Sequence, residues 1–259
     1  MIVKPSLTVH VRCEPVAWYV EKLEKEESFT SLLYGDGEFM VADGEHIGQT
    51  LAFSEVVTEQ LYNEMVASLL DPGTDIIRGT DPNLVNHESY GGSDLDSFRK
   101  VGQRIDKLLT KLNLSIPWFD GVMWDRASRE GELGPLIRAL WRRQTVIVGN
   151  ARLRPFAEEY LGWLLAIPSE NAVSCLDQLE GALTEWADRA DHPVFVLCMG
   201  LGAIPLAMRL RRAVLGCTVL DLGSNFDVFA GIGEQRGWRA EMYANKQLWQ
   251  ETLAKHLSE

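Results

Sequence analysis

The sequence is poor in the features that mark several large functional classes. Its four cysteines, at 13, 175, 198 and 217, contain no C-x-x-C, so neither a zinc knuckle nor a redox dithiol is indicated and reduced thiols are expected. Positive charge is scarce. Lys and Arg number 25 against 37 Asp and Glu, a net charge of −12, whereas a broad grip on nucleic-acid phosphates needs a basic surplus on one face. Long hydrophobic runs are missing too. The longest, "PVFVLCMGLGAIPLAM" at 193–208, is broken by Gly200, Gly202 and Pro205 and falls short of the roughly 20 residues of a membrane span. Lys4, His10 and Arg12 interrupt the first apolar stretch before a signal-peptide core forms, so the expected location is cytoplasmic. No low-complexity tract occurs. The histidines at 10, 46, 87, 192 and 256 fall in no metal-ligand spacing, and the dense basic cluster, "MRLRR" at 208–212, reads as a solvated helix face.

What is present is a globular composition: 259 residues, 46% hydrophobic and 24% charged, enough for one large core and a single domain spanning 1–259. Short apolar segments alternate with amphipathic ones, the pattern of an α/β fold with helices flanking a mainly parallel sheet. Strands are expected at 29–34, 74–79, 145–149, 163–168, 194–199 and 218–223, and helices at 54–70, 95–113, 134–143, 174–190 and 203–213. Ser54 and Ser174 are the expected N-caps of two of these helices. The polar stretch 79–94 exceeds an ordinary connection and reads as an active-site flap or a surface loop. "KQLWQETLAKHL" (246–257) reads as a terminal helix able to pack on a partner or on its own sheet.

One tripeptide is written twice, as Asp36-Gly37-Glu38 and Asp43-Gly44-Glu45. Two carboxylates flanking a glycine at a strand end can converge on Mg2+ or Mn2+, hard cations that complete their shell with water and substrate phosphates. The competing reading is structural: Asp-Gly is a favoured hairpin turn, and "GDGEFMVADGE" would then be two turns around a short strand "EFMVA". The first copy follows an apolar strand directly, where ligands of open α/β sheets gather. The second has no strand of its own and reads as a solvated turn.

"LLYGDGEF" resembles the signature of the GT-D-type glycosyltransferases, Arg-(Phe/Tyr)-Gly-Asp-Gly-Glu after an N-terminal strand. The resemblance continues through "SIPWFDGVMW" (115–124), "LWRRQTVIVGN" (140–150), "VFVLCMGLGAIPLAMRLRR" (194–212) and "TVLDLGSNFDVF" (218–229), in the family's order. It implies a Rossmann-like α/β domain that binds a nucleotide sugar, typically a UDP-sugar with Mn2+ or Mg2+, and passes the sugar to a hydroxyl acceptor. The implied metal and diphosphate residues are Asp36 and Glu38, with Tyr34, Gly35 and Gly37 around them. Leu33 stands where the family usually carries arginine.

Other residues join this reading. Gly200 and Gly202 lie between a strand and a helix, where backbone N–H groups can approach an anion, although the third glycine of a Rossmann fingerprint is missing. Asp221, Gly223 and Ser224 are placed along the donor cleft, or in a structural turn. Asn150 and Arg152 follow a strand, and Arg152 could supply the phosphate charge that Leu33 does not; Arg154 reads as solvated. Asp120, among Trp118, Phe119 and Trp124, is the candidate general base, with aromatic stacking or core packing for its neighbours. His87 reads as a surface histidine or an acceptor contact. Glycans, glycoproteins and modified bases are the acceptors considered, with nucleic acid disfavoured by the acidity. Two alternatives stand beside transfer: a non-catalytic nucleotide-sugar-binding domain, and an S-adenosylmethionine-dependent methyltransferase suggested by "DLGS". Against the latter, too little chain follows Gly223 to complete such a sheet.

Overall fold

The computed structural model describes residues 10–51, 54–86 and 95–230. Within them lie β1 (Val11–Arg12), β2 (Thr30–Tyr34), β3 (Ile76–Thr80), β4 (Trp118–Asp120), β5 (Thr145–Asn150), β6 (Trp163–Ile167), β7 (Val194–Cys198) and β8 (Thr218–Asp221), joined in one parallel sheet in the order β1-β4-β3-β2-β8-β7-β5-β6. The six expected strands are all present to within two residues. β1 and β4 were not anticipated, because two or three residues are too few for alternation to register.

Helices cover both faces, which is why the central strands are apolar on both sides. One face carries α2 (Asp36–Asp43), α3 (Glu59–Leu70), α4 (Pro82–Val85), α5 (Leu95–Lys111), α9 (Leu176–Ala187) and α10 (Ala203–Ala213) over Leu32, Tyr34, Leu197 and Val219. The other carries α1 (Val16–Glu24), α6 (Val122–Glu130), α7 (Gly134–Trp141) and α8 (Arg154–Tyr160) over Ile77, Val196 and Leu220. Successive residues of β7 alternate between the two cores, as a pleated strand requires.

Three local expectations are corrected. The segment "EFMVA" lies inside α2 and is no strand, since Glu38 closes a helical first turn by accepting the Gly35 N–H at 2.9 Å. Ser54 is no N-cap: it sits at φ 55°, and α3 starts later, where the Thr58 hydroxyl accepts the Leu61 N–H at 3.1 Å. Nor is Ser174, whose hydroxyl turns back to the Asn171 carbonyl at 2.7 Å while α9 begins at Leu176. The stretch 79–94 opens with the end of β3 and with α4; residues 87–94, His87 among them, lie outside the described residues, as does 246–257.

Connectivity fixes where a ligand could sit. From β2 the chain steps outward through β3 and β4, crosses to β5 and β6, and returns through β7 to β8, beside β2. The segment leaving β2 turns onto the first face as α2, while Leu222 and Phe226, leaving β8, pack on the second. A crevice therefore lies between the C-terminal ends of β2 and β8, the switch point at which open α/β sheets bind ligands.

Candidate functional site

The first Asp-Gly-Glu occupies the lip of this crevice. Gly35 is extended (ψ −170°), and Asp36, Gly37 and Glu38 form the first turn of α2, where acidic side chains complement the helix dipole. Asp36 is exposed, its Oδ1 accepting the Gly37 N–H at 3.0 Å. Glu38 is partly buried. Its carboxyl is pushed up to about 7, first by burial and further by the charge of Asp36, against the lowering effect of backbone N–H bonds.

The opposite lip is Asp221, the last residue of β8 and only 3% exposed. Its Oδ2 accepts the Leu33 N–H at 3.1 Å and its Oδ1 the Gly223 N–H at 3.0 Å. Burial, then the charge of Glu38, push it up to about 8. Among the described residues, Asp36, Glu38 and Asp221 form no ion pair with any Lys or Arg. Asp36 thus raises the proton affinity of Glu38, and Glu38 that of Asp221, in a site where no such ion pair offsets them.

Neighbouring strand ends complete the rim. The 3₁₀ turn Gly200–Gly202 follows β7 and touches the first lip, since a methyl added at Gly37 would lie 3.2 Å from Leu201 Cδ2. The two glycines of that turn differ. Gly200 is exposed at φ 58° with open space around it, whereas Gly202 packs against Met199 and Leu176. At the end of β5 the Asn150 side chain accepts the Arg152 N–H at 2.9 Å and leaves Arg152 exposed. Arg154 pairs with Glu158 at 3.5 Å. Gly223 and Ser224 are half-buried beyond β8.

Several expected residues serve other ends. Tyr34 is fully buried, its hydroxyl 2.7 Å from Ser68 Oγ and its ring against Phe39 and Trp118, so only its backbone faces the ligand side. Trp118, Phe119 and Trp124 are core residues. Asp120 is buried, with Oδ1 accepting the Val122 N–H at 3.0 Å and Oδ2 paired to Arg126 at 2.6 Å; as a proton acceptor it would first have to release that arginine. Two residues were missed by sequence reasoning. Gly121 leaves just enough room for Leu33, whose Cδ1 would be 2.5 Å from a methyl added there. Asp81, at the end of β3, caps α4 by accepting the Asn83 N–H at 2.8 Å and has its proton affinity raised by burial and by Asp120. An acidic residue directly before a proline was the available signal for that cap. Leu33 also meets Gly223, at 3.2 Å from an added methyl, and so plugs the space between the ends of β4 and β8 with hydrocarbon.

Two hard oxygen ligands suit Mg2+ or Mn2+ when diphosphate oxygens complete the shell. Among the described residues no three His, Cys, Asp or Glu converge as a metal-binding group, and no helix is long and apolar enough to cross a membrane.

No protein-family model matches the sequence, nor does any curated protein. Solved structures do match. A structure described as domain of unknown function 1792 with a distinct glycosyltransferase fold superposes with a TM-score of 0.64 at 15% identity, over 85% of this chain and 81% of that one. A selenomethionine-substituted structure of domain of unknown function 1792 gives 0.65 at 14% identity with the same coverage. This chain shares that fold. The glycosyltransferase fold agrees with the α/β architecture expected from the sequence, and at this identity the likeness concerns the fold alone.

Proposed function

We propose that the chain is a glycosyltransferase that uses a nucleoside-diphosphate sugar, a UDP-sugar in the first instance, with Asp36 and Glu38 holding Mn2+ or Mg2+ against the diphosphate. The observation that carries this reading is the pair of acids in the first turn of α2, at the switch-point crevice, without an ion pair among the described residues. The shared glycosyltransferase fold supports it. A bound divalent cation supplies Lewis-acid stabilisation of the departing diphosphate.

The chain's own groups have separate tasks. The Gly35 N–H holds one oxygen of Glu38, fixing the carboxyl at the lip. The positive end of the α2 dipole favours diphosphate oxygens. Gly200, open and in a left-handed conformation, lets the donor approach the backbone after β7, and Arg152 offers an exposed guanidinium at the end of β5. The acceptor hydroxyl attacks the anomeric carbon, the carbon–oxygen bond to the diphosphate breaks, its electron pair leaves with the nucleotide, and the hydroxyl proton passes to water or to the released diphosphate.

A non-catalytic nucleotide-sugar-binding role is the second reading, favoured by the Leu33 plug and by Asp120 being tied to Arg126. The methyltransferase reading loses ground because "DLGS" begins at the end of β8, after seven described strands of the sheet have already been laid down. The test is titration of UDP and UDP-sugars with and without Mn2+, followed by donor hydrolysis, on the wild type, Asp36→Asn and Glu38→Gln. Mn2+-dependent binding lost in both variants is expected. Binding indifferent to metal and to both substitutions would refute the assignment, and binding without turnover on any acceptor would select the second reading.

A further inference from the structure

The sheet's hydrogen-bond ladder is uneven around the crevice. β2 stays in register with β3 as far as Tyr34 and Thr80, and β8 stays with β7 as far as Leu197 and Asp221. Beyond this the Leu222 N–H still reaches the Leu197 carbonyl at 3.0 Å. Between β2 and β8, in contrast, pairing ends at Ser31 and Leu220. The next β2 amide facing β8, that of Leu33, donates to the Asp221 side chain rather than to a β8 carbonyl. A carboxylate has thus been inserted where a ladder bond would otherwise form. Its second oxygen holds the Gly223 N–H, fixing a turn at φ 54° that brings Gly223 against Leu33.

We propose that Asp221 is a positioning residue that holds the two lips of the crevice apart and in register, so that Asp36 and Glu38 present their oxygens to a cation and diphosphate. This rests on the reading of those two acids given above. The geometry supports a positioning role over direct ligation: each Asp221 oxygen already accepts a backbone N–H, and the side chain is almost wholly buried. Groups that orient ligating residues in this way typically matter nearly as much as the ligands themselves. Replacing the carboxylate by an amide leaves one oxygen for two N–H groups and turns an NH2 toward the other, releasing one lip. Lengthening it to Glu keeps the carboxyl group but shifts both contacts.

The experiment measures Mn2+ affinity, with and without UDP, by the electron spin resonance of free Mn2+ on full-length wild type, Asp221→Asn, Asp221→Glu, Asp36→Asn and Glu38→Gln. Circular dichroism and thermal melting confirm that each variant is folded at the assay temperature. Both Asp221 variants are expected to bind Mn2+ with UDP roughly 10- to 100-fold more weakly while keeping a cooperative melt. Affinity for both within about two-fold of wild type, with Asp36→Asn and Glu38→Gln still defective, would overturn the positioning role and leave the proposed function standing. Absence of Mn2+-dependent binding in the wild type would overturn both. Should the Asp221 variants not fold, Gly223→Ala moves the same lip from the other side. A residue forced to φ 54° against Leu33 should weaken Mn2+ binding, and an unchanged affinity would count against the proposal.

Discussion

The two Asp-Gly-Glu tripeptides bracket a single helix and are put to opposite uses. Asp36, Gly37 and Glu38 are its first turn; Asp43 is its last residue and Gly44 its C-cap, at φ 82° with its N–H on the Val41 carbonyl. At the N-terminus the acids meet a favourable dipole and one another, and among the described residues they form no ion pair. At the C-terminus Glu45 is solvated and reaches Arg104 at 3.5 Å. Identical residues therefore differ by which end of a helix they occupy and which strand end lies beside them. A similar contrast separates the crevice from the outer surface of the first face, where Arg209 collects Glu64, Asp177 and Glu180 and Arg211 collects Asp71 and Asp75. Each of those five acids has a guanidinium, and the Arg209 cluster ties α3 and α9 to α10.

The comparison can be broken first by exchanging amides for acids. Asp36→Asn or Glu38→Gln should weaken Mn2+-dependent UDP binding by at least about 100-fold, whereas Asp43→Asn and Glu45→Gln should leave it within about two-fold, as measured by calorimetric titration. Equal losses at both copies would erase the distinction.

Acidity sharpens it next. Glu38 and Asp221 have proton affinities raised to about 7 and about 8, above their values in the unfolded chain. Between the ordinary carboxylate range and pH 8 the folded state then binds more protons than the unfolded one, so stability is full at low pH and is lost as pH climbs through 7 and 8. Thermal melts of metal-free protein should fall by a few degrees between pH 5.5 and 8.5. Glu38→Gln should flatten that slope, and Glu45→Gln should not. Added Mn2+ should restore part of the loss at high pH, because it binds the ionised carboxylates of the folded state.

Gly44→Ala tests the helix end without touching the first copy. A side chain at φ 82° costs about 1–2 kcal/mol, and this one would also meet Tyr62 at 3.0 Å. The melting temperature should drop by roughly 2–8 °C with nucleotide binding preserved at temperatures below the transition. The smallest effect is expected from Glu45→Gln, which removes an exposed ion pair worth under about 0.5 kcal/mol.

Much of the architecture was legible because its signals are local and long enough to repeat. Six strands of apolar, β-branched character and several amphipathic helices could be read from spacing, and β5, β7 and α10 fall within a residue of expectation. The short β1 and β4 escaped for the same reason, as did α2, whose helical character was masked by two Asp-Gly pairs that also fit hairpin turns. Leu33 was recognisable as a departure from arginine, but its role as a plug against Gly121 and Gly223 depends on strands distant in sequence. Tyr34 and Asp120 were expected at the ligand, and strand alternation together with Arg126 turned them to packing and pairing.

Residue order alone determined an acidic α/β chain with two carboxylates just past its first long strand, since hydrophobic period, charge and motif spacing are properties of neighbours along the chain. Tertiary structure decided which copy of the tripeptide lies at a crevice, that β8 and not β3 forms the opposite lip, and that Asp221 stands where a ladder bond is missing. Those are facts of strand order and of burial, and both arise from contacts between residues up to 191 positions apart, a separation over which no local periodicity carries information.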